Sequence, residues 1–244
     1  MKLTVIGYWH GYPGREGATS GYLLEQGETK LLLDCGSGVL SHVQAYCPLE
    51  ELDGIVLSHY HQDHMADIGV FHYARLLQAG QGRIKKQATI YGHRDDPETF
   101  STLSYKHVVR SETYDGLNPK VIGPFQFSFF KTKHPVPCYA MRIEVEGQSL
   151  VYTADTSYFA ELANFAEGCD LLIAECSAYG GTDLSDYGHM NSFDVGILAE
   201  RTNARQLLLT HLPHHGQHEQ LVAEVKTKYQ GEIFLANTGW VKEW

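Results

Sequence analysis

Residues 55–64 read Ile55-Val56-Leu57-Ser58-His59-Tyr60-His61-Gln62-Asp63-His64, an apolar strand that runs without a break into H-x-H-x-D-H. Three imidazoles and one carboxylate within six residues are the ligand types that borderline divalent metals such as zinc take. Side chains two apart on an extended chain point the same way, so His59 and His61 can hold one ion. Asp63 and His64 fall where the chain turns into a helix and can reach a second. The competing reading is a polar loop whose histidines coincide.

Outward from this stretch the same arrangement recurs: an apolar strand followed at once by a single potential ligand. Phe125 to Lys133 runs into His134, Leu150-Val151-Tyr152-Thr153-Ala154 into Asp155, and Leu207-Leu208-Leu209-Thr210 into His211. Taken singly, each of these residues reads as a capping or surface group. As a set they read as ligands, because strand ends on one side of a sheet converge where open α/β folds place their sites. The other segments sort into short strands, among them 3–7, 20–25, 30–34, 88–92, 139–145, 170–175 and 232–235. Helical spacing marks 38–46, 63–78, 97–105, 158–167, 192–202 and 218–229. Hairpin-like strands come first and strands alternating with helices follow, which predicts one continuous α/β domain with two mixed sheets covered by helices. Asn191 or Ser192 is placed to cap the helix that starts beside them.

Composition narrows the function classes. The formal charge of −10 opposes generic binding of polyanions, since nucleic-acid affinity rests largely on Lys and Arg neutralising phosphates. No apolar run approaches the ~20 residues of a membrane span, so no membrane partner is expected. Met1 leads straight into the strand-like 2–7 with no signal-peptide pattern, so a cytoplasmic location is expected. Five cysteines with no C-x-x-C pair argue against both a disulfide framework and a thiolate zinc site, leaving them as buried small hydrophobes. The 14 histidines are the unusual feature.

The ordered series His59-x-His61-x-Asp63-His64, His134, Asp155 and His211 resembles the metallo-β-lactamase fold superfamily. Leu32-Leu33-Asp34-Cys35-Gly36, Ala154-Asp155-Thr156, Ala174-Glu175-Cys176 and Gly188-His189-Met190-Asn191 are similar to its ribonuclease Z branch, especially the short-form ribonuclease Z-like hydrolases. The likeness covers nearly the whole chain. It implies a four-layer αββα sandwich, a single hydrolase domain over residues 1–244, a homodimer, and two divalent metal ions: zinc, with manganese or iron as alternatives. Carried over residue by residue, it puts His59, His61 and His134 on one ion and Asp63, His64 and His211 on the other, with Asp155 bridging. Asp34 resembles the family's carboxylate that supports the ligand loop, its alternative being a plain strand-end turn. Glu175 and His189 resemble the acid and histidine pair beside the scissile group. Asp63, His189 and Glu175 make up the implied catalytic set.

Two departures bear on substrate. Ribonuclease Z carries a long Gly- and Pro-rich arm that grips tRNA between the equivalents of His134 and Asp155. Here that interval is 21 residues, room for one hairpin. The early loop Tyr12 to Ser20 keeps Pro13 but not the full basic P-x-K-x-R-N element, and Arg83-Lys85-Lys86 is only a short basic run. The first expectation is therefore a phosphodiesterase acting on a small or nucleotide-derived diester, with RNA 3′ ends also possible and a metal-bridging hydroxide as nucleophile. The alternatives are a hydrolase of a thioester, lactone or β-lactam, and a non-catalytic metal-binding relative. A histidine backed by a glutamate favours the first, because an alkoxide leaving group needs a proton donor. His10 and His214 are further candidates to line the pocket. Trp240 and Trp244 read as packing or dimer-contact residues.

Overall fold

Leu31-Leu32-Leu33 and Gly54-Ile55-Val56 are continuous apolar runs, buried throughout, as parallel strands covered on both faces must be. In the computed structural model, which describes residues 1–84 and 86–244, they lie side by side in one of two seven-stranded mixed sheets. The chain divides into two compact units, residues 1–115 with 237–244 and residues 116–236.

The first unit holds β1 (Lys2–Gly7), β2 (Gly21–Gln26), β3 (Thr29–Leu33), β4 (Gly54–Val56), β5 (Ala88–Gly92) and β6 (Val109–Thr113). The second holds β7 (Lys120–Ile122), β8 (Phe125–Lys131), β9 (Tyr139–Val145), β10 (Gln148–Tyr152), β11 (Leu171–Glu175), β12 (Gln206–Thr210) and β13 (Glu232–Leu235). The last strand, β14 (Val241–Glu243), returns to the first sheet. Strand order is β14-β1-β2-β3-β4-β5-β6 in one sheet and β13-β12-β11-β10-β9-β8-β7 in the other. Each sheet is antiparallel in one half and parallel in the other, the parallel halves being β3 to β6 and β10 to β13. All the candidate ligands follow the carboxyl ends of strands β4, β8, β10 and β12.

Helices α1 (Val39–Val43), α2 (Gln62–Met65), α3 (Ile68–Gly80) and α4 (Pro97–Ser101) belong to the first unit. In it Val39, Leu40 and Phe71 join Ile6, Leu23, Leu32, Ile55 and Ile90 in one buried cluster. Fully burying an aliphatic or aromatic side chain of this size contributes roughly 1.5–3 kcal/mol. Helices α5 (Ala160–Phe165), α6 (Ser192–Thr202) and α7 (His218–Val225) belong to the second unit. Asn191 caps α6, accepting from the N–H groups of Phe193 and Asp194, and Asp194 completes a capping box.

The helix expected over 63–78 is two helices. Asp67 breaks it: its N–H bonds to the Cys35 carbonyl and its carboxylate accepts from the Leu40 N–H, so it is drawn out of the i→i−4 ladder. All five cysteines are buried and free. Burial pushes the Cys47 thiol up to about 11 and the Cys169 thiol up to about 12, and raises Cys35 and Cys176 well above the ordinary range. Of the basic run 83–86, Lys85 lies outside the described residues. Arg83 and Lys86 are ion-paired with Glu50 and Asp53, so neither adds free positive charge. Among the described residues no helix is long and apolar enough to cross a membrane.

Candidate metal centre

The chemistry of the first unit starts one residue past β3. Asp34 is fully buried and takes a left-handed backbone, φ 57°, which a non-glycine residue holds only when its surroundings fix it. The turn aims its carboxylate across at the end of β4. There Oδ1 accepts from the Ser58 N–H at 2.7 Å, while Oδ2 accepts from Ser58 Oγ at 2.8 Å and from His64 Nδ1 at 2.8 Å. Because an ionised carboxylate only accepts, neutral His64 carries its proton on Nδ1 and the lone pair on Nε2.

His61, on extended backbone, is the residue that opens α2, and Asp63 and His64 are on the helix itself. The motif therefore bends as the spacing predicts. The His59 ring lies 4.9 Å from that of His61 and 4.1 Å from that of His64. Asp63 Oδ2 accepts from the Gly11 N–H at 2.9 Å and lies 3.7 Å from His64 Nε2. Gly36 makes this bend possible, since a Cβ there would stand 2.0 Å from the Asp63 carbonyl oxygen.

In the second unit the ligand candidates come from three separate strand ends. His134 follows β8, and its Nδ1 donates to the Gly188 carbonyl at 3.0 Å, which again puts the proton of the neutral ring on Nδ1. Gly188, at φ 73°, is required here: a Cβ would meet Pro135 Cδ at 2.6 Å and His134 Cα at 2.8 Å. Asp155 follows β10 behind Ala154, another left-handed residue, and is 2% exposed. His211 follows β12, is itself left-handed at φ 53°, and brings Nε2 to 3.6 Å from Asp155 Oδ2. The stretch between His134 and Asp155 is the β9–β10 hairpin, as the short interval predicts.

Glu175, the last residue of β11 and 1% exposed, collects a second group of partners. Its Oε1 accepts from the Thr156 N–H at 2.8 Å and from His189 Nδ1 at 3.1 Å, and its Oε2 from Ser177 Oγ at 2.6 Å. The His189 ring stands 5.2 Å from that of His134 and 5.5 Å from that of His211. Ligand atoms of Glu175, His189 and His211 all lie within 4.8 Å of one another.

The first unit holds Asp34, His59, His61, Asp63 and His64, and the second holds His134, Asp155, Glu175, His189 and His211. His10 stands in the loop after β1, and His214 is exposed in the loop after His211. Sequence reasoning gave no part to Ser58, Ser177 or Thr156, which complete the hydrogen bonding of the two carboxylates. Their only signal was position, beside a ligand or two residues after an acid. Imidazole nitrogens with fixed Nδ1 protons, set beside buried carboxylates, fit a divalent metal of the zinc type.

The family description "Beta-lactamase superfamily domain" matches residues 29–212. The chain belongs to the β-lactamase superfamily. Within that superfamily it is 47% identical over 243 residues to the "Probable metallo-hydrolase YhfI" of Bacillus subtilis (strain 168), covering 100% of both chains. The crystal structure of that metallo-β-lactamase fold protein superposes with a TM-score of 0.98 at 46% identity, over 100% of this chain and 99% of that one. The metallo-β-lactamase fold expected from the sequence is the fold of this chain. More distant structures share it: human tRNase Z, short form (TM-score 0.77, 19% identity, 100% of this chain and 99% of that one), and a diphosphatase of the PhnP family (0.76, 17%, 100% and 97%).

Proposed function

We propose that this superfamily member is a metallo-hydrolase that cleaves small or nucleotide-derived phosphodiesters. In this reading, which the motif series of the sequence supports, His59, His61 and His134 would hold one divalent ion and Asp63, His64 and His211 a second, with Asp155 shared. Two such ions, zinc by the preference of the donor set, would supply Lewis acidity and a water acidic enough to attack at neutral pH.

The observation that carries the reading is His189. Its Nδ1 is held by Glu175 at 3.1 Å and its side chain is 13% exposed, so Nε2 is left to carry a proton to a departing oxygen while the carboxylate stabilises the imidazolium. A phosphodiester with an alkoxide leaving group needs such a donor. Asp63, which accepts from the Gly11 N–H, would orient the attacking water. The hairpin between His134 and Asp155 leaves no arm to grip tRNA, and the net charge of −10 opposes polyanions, both of which favour small substrates.

The test is a panel run with purified, metal-analysed protein: a bis-aryl phosphodiester, cyclic nucleotides, a 3′-extended tRNA, a thioester, a lactone and a β-lactam. Small diesters should be cleaved fastest. A thioester or lactone in first place, or a tRNA precursor ahead of small diesters at low and moderate salt, overturns the assignment.

A further inference from the structure

Two serine hydroxyls stand between a buried carboxylate and a histidine, once in each unit. Ser58 Oγ is 2.8 Å from Asp34 Oδ2 and 3.0 Å from His59 Nδ1. Ser177 Oγ is 2.6 Å from Glu175 Oε2 and 2.9 Å from His211 Nδ1. All six residues are buried, the most accessible being Ser177 at 4%. A hydroxyl has one proton to give. Glu175 can only accept, and its contact at 2.6 Å is short and charge-assisted. The other acceptor within reach of Ser177, the neutral His211 carbonyl, lies at 3.5 Å and loses the competition. The serine proton therefore goes to the carboxylate, and the serine lone pair must accept the Nδ1 proton of the histidine. The same count holds for Ser58 between Asp34 and His59.

We infer that Ser58 and Ser177 are positioning residues that relay a buried carboxylate to His59 and His211, fixing each neutral histidine with its proton on Nδ1 and the lone pair on Nε2. Asp34 thereby governs two histidines, His64 directly and His59 through Ser58. Glu175 also governs two, His189 directly and His211 through Ser177. In the second unit one carboxylate consequently sets both the proposed proton donor and a proposed metal ligand. The metal-binding purpose rests on the function proposed above. The tautomers do not, because they follow from hydrogen bonds within each unit.

The test uses metal-free protein with 15N-labelled histidine, at a pH where imidazole is neutral, with tautomers read from long-range 1H–15N correlations. Wild type should show His59 and His211 protonated on Nδ1. Ser177→Ala should release His211 alone and Ser58→Ala His59 alone, and chelator competition should show each variant weakened about 10–100-fold for one ion. If an alanine variant fails to fold, Ser177→Thr and Ser177→Val form an isosteric pair with and without the hydroxyl: Thr should keep the wild-type tautomer and affinity, Val should lose both. Nδ1 protonation unchanged in the alanine or valine variants, or metal affinity unchanged in them, overturns the relay while leaving the proposed function standing. Wild-type protein that binds no divalent ion overturns the proposed function instead, and the tautomer comparison still decides the relay.

Discussion

Asp34 and Glu175 stand at the ends of β3 and β11, each followed by a buried cysteine, and each gathers one backbone N–H, one serine hydroxyl and one histidine. They differ in what lies beyond. Asp34 has a short side chain and reaches its partners by leaving the strand in a left-handed turn, and its partners Ser58 and His64 are fully buried. Glu175 stays in the ladder, in register with Thr210, and uses its longer side chain. One of its partners, His189, is open to solvent on one side. Both carboxylates are buried, and only the second has a partner that reaches solvent. Under the proposed function, that difference suits Asp34 to support and Glu175, through His189, to proton transfer.

The largest effect should come from a residue that serves neither carboxylate. Asp155→Ala should abolish activity and lower metal content, while elemental analysis of the wild type should give two ions per chain. One ion in a fully active preparation would refute the dinuclear proposal.

Next is the open side. His189→Ala should retain both metals yet lose roughly 10²–10⁴-fold in kcat on diesters with poor alkoxide leaving groups, and far less with nitrophenolate. Equal losses on the two substrates would take His189 out of proton transfer, and metal loss would make it a ligand.

Stability should separate the two carboxylates by less. Asp34→Ala strands three donors with no route to water, at roughly 1–3 kcal/mol for each unsatisfied buried group, whereas after Glu175→Ala His189 can turn to solvent. Denaturant melts should show the larger loss for Asp34→Ala. The reverse order would mean that the first carboxylate is not the closed one.

The smallest effect concerns Cys35 and Cys176, the residues after the two acids. Burial first, and nearby carboxylates second, raise both thiols well above their ordinary range. Neither should react with iodoacetamide in the native protein near pH 8. A group whose folded pKa is raised contributes stability in full below its unfolded value, about 8.5 for a thiol, and loses that contribution as pH climbs through the folded value. The melting temperature should therefore fall from about pH 8.5 upward. Rapid native labelling of Cys176 but not Cys35 would show that the second carboxylate opens further than its histidine.

What the sequence made legible follows from where chemistry and burial coincide. H-x-H-x-D-H is contiguous, so its strand-to-helix bend could be read directly, and His134, Asp155 and His211 were marked by the apolar strands before them. The unread strands were β6, β7 and β14, all at sheet edges. Edges carry polar and charged residues, as in Val109-Arg110-Ser111-Glu112-Thr113 and Val241-Lys242-Glu243, because an apolar edge invites pairing with other chains. The edge strand β13 was read because Ile233, Phe234 and Leu235 are apolar. Ser58 and Ser177 stayed silent for a different reason: a serine beside a histidine or two residues after an acid is common, and only the count of protons between three fixed groups gives it a task.

The return of β14 to the first sheet sets the timing of folding. Val241, Lys242 and Glu243 pair with Thr4, Leu3 and Lys2, yet they are encoded after the whole of the second unit. At ~5–20 residues per second, the roughly 120 intervening residues take on the order of ten seconds to emerge from a ribosome. Through that interval β1 presents an unpaired edge whose Leu3, Val5 and Ile6 are bound for the core, and the nascent chain is most exposed to mispairing there before its last strand arrives.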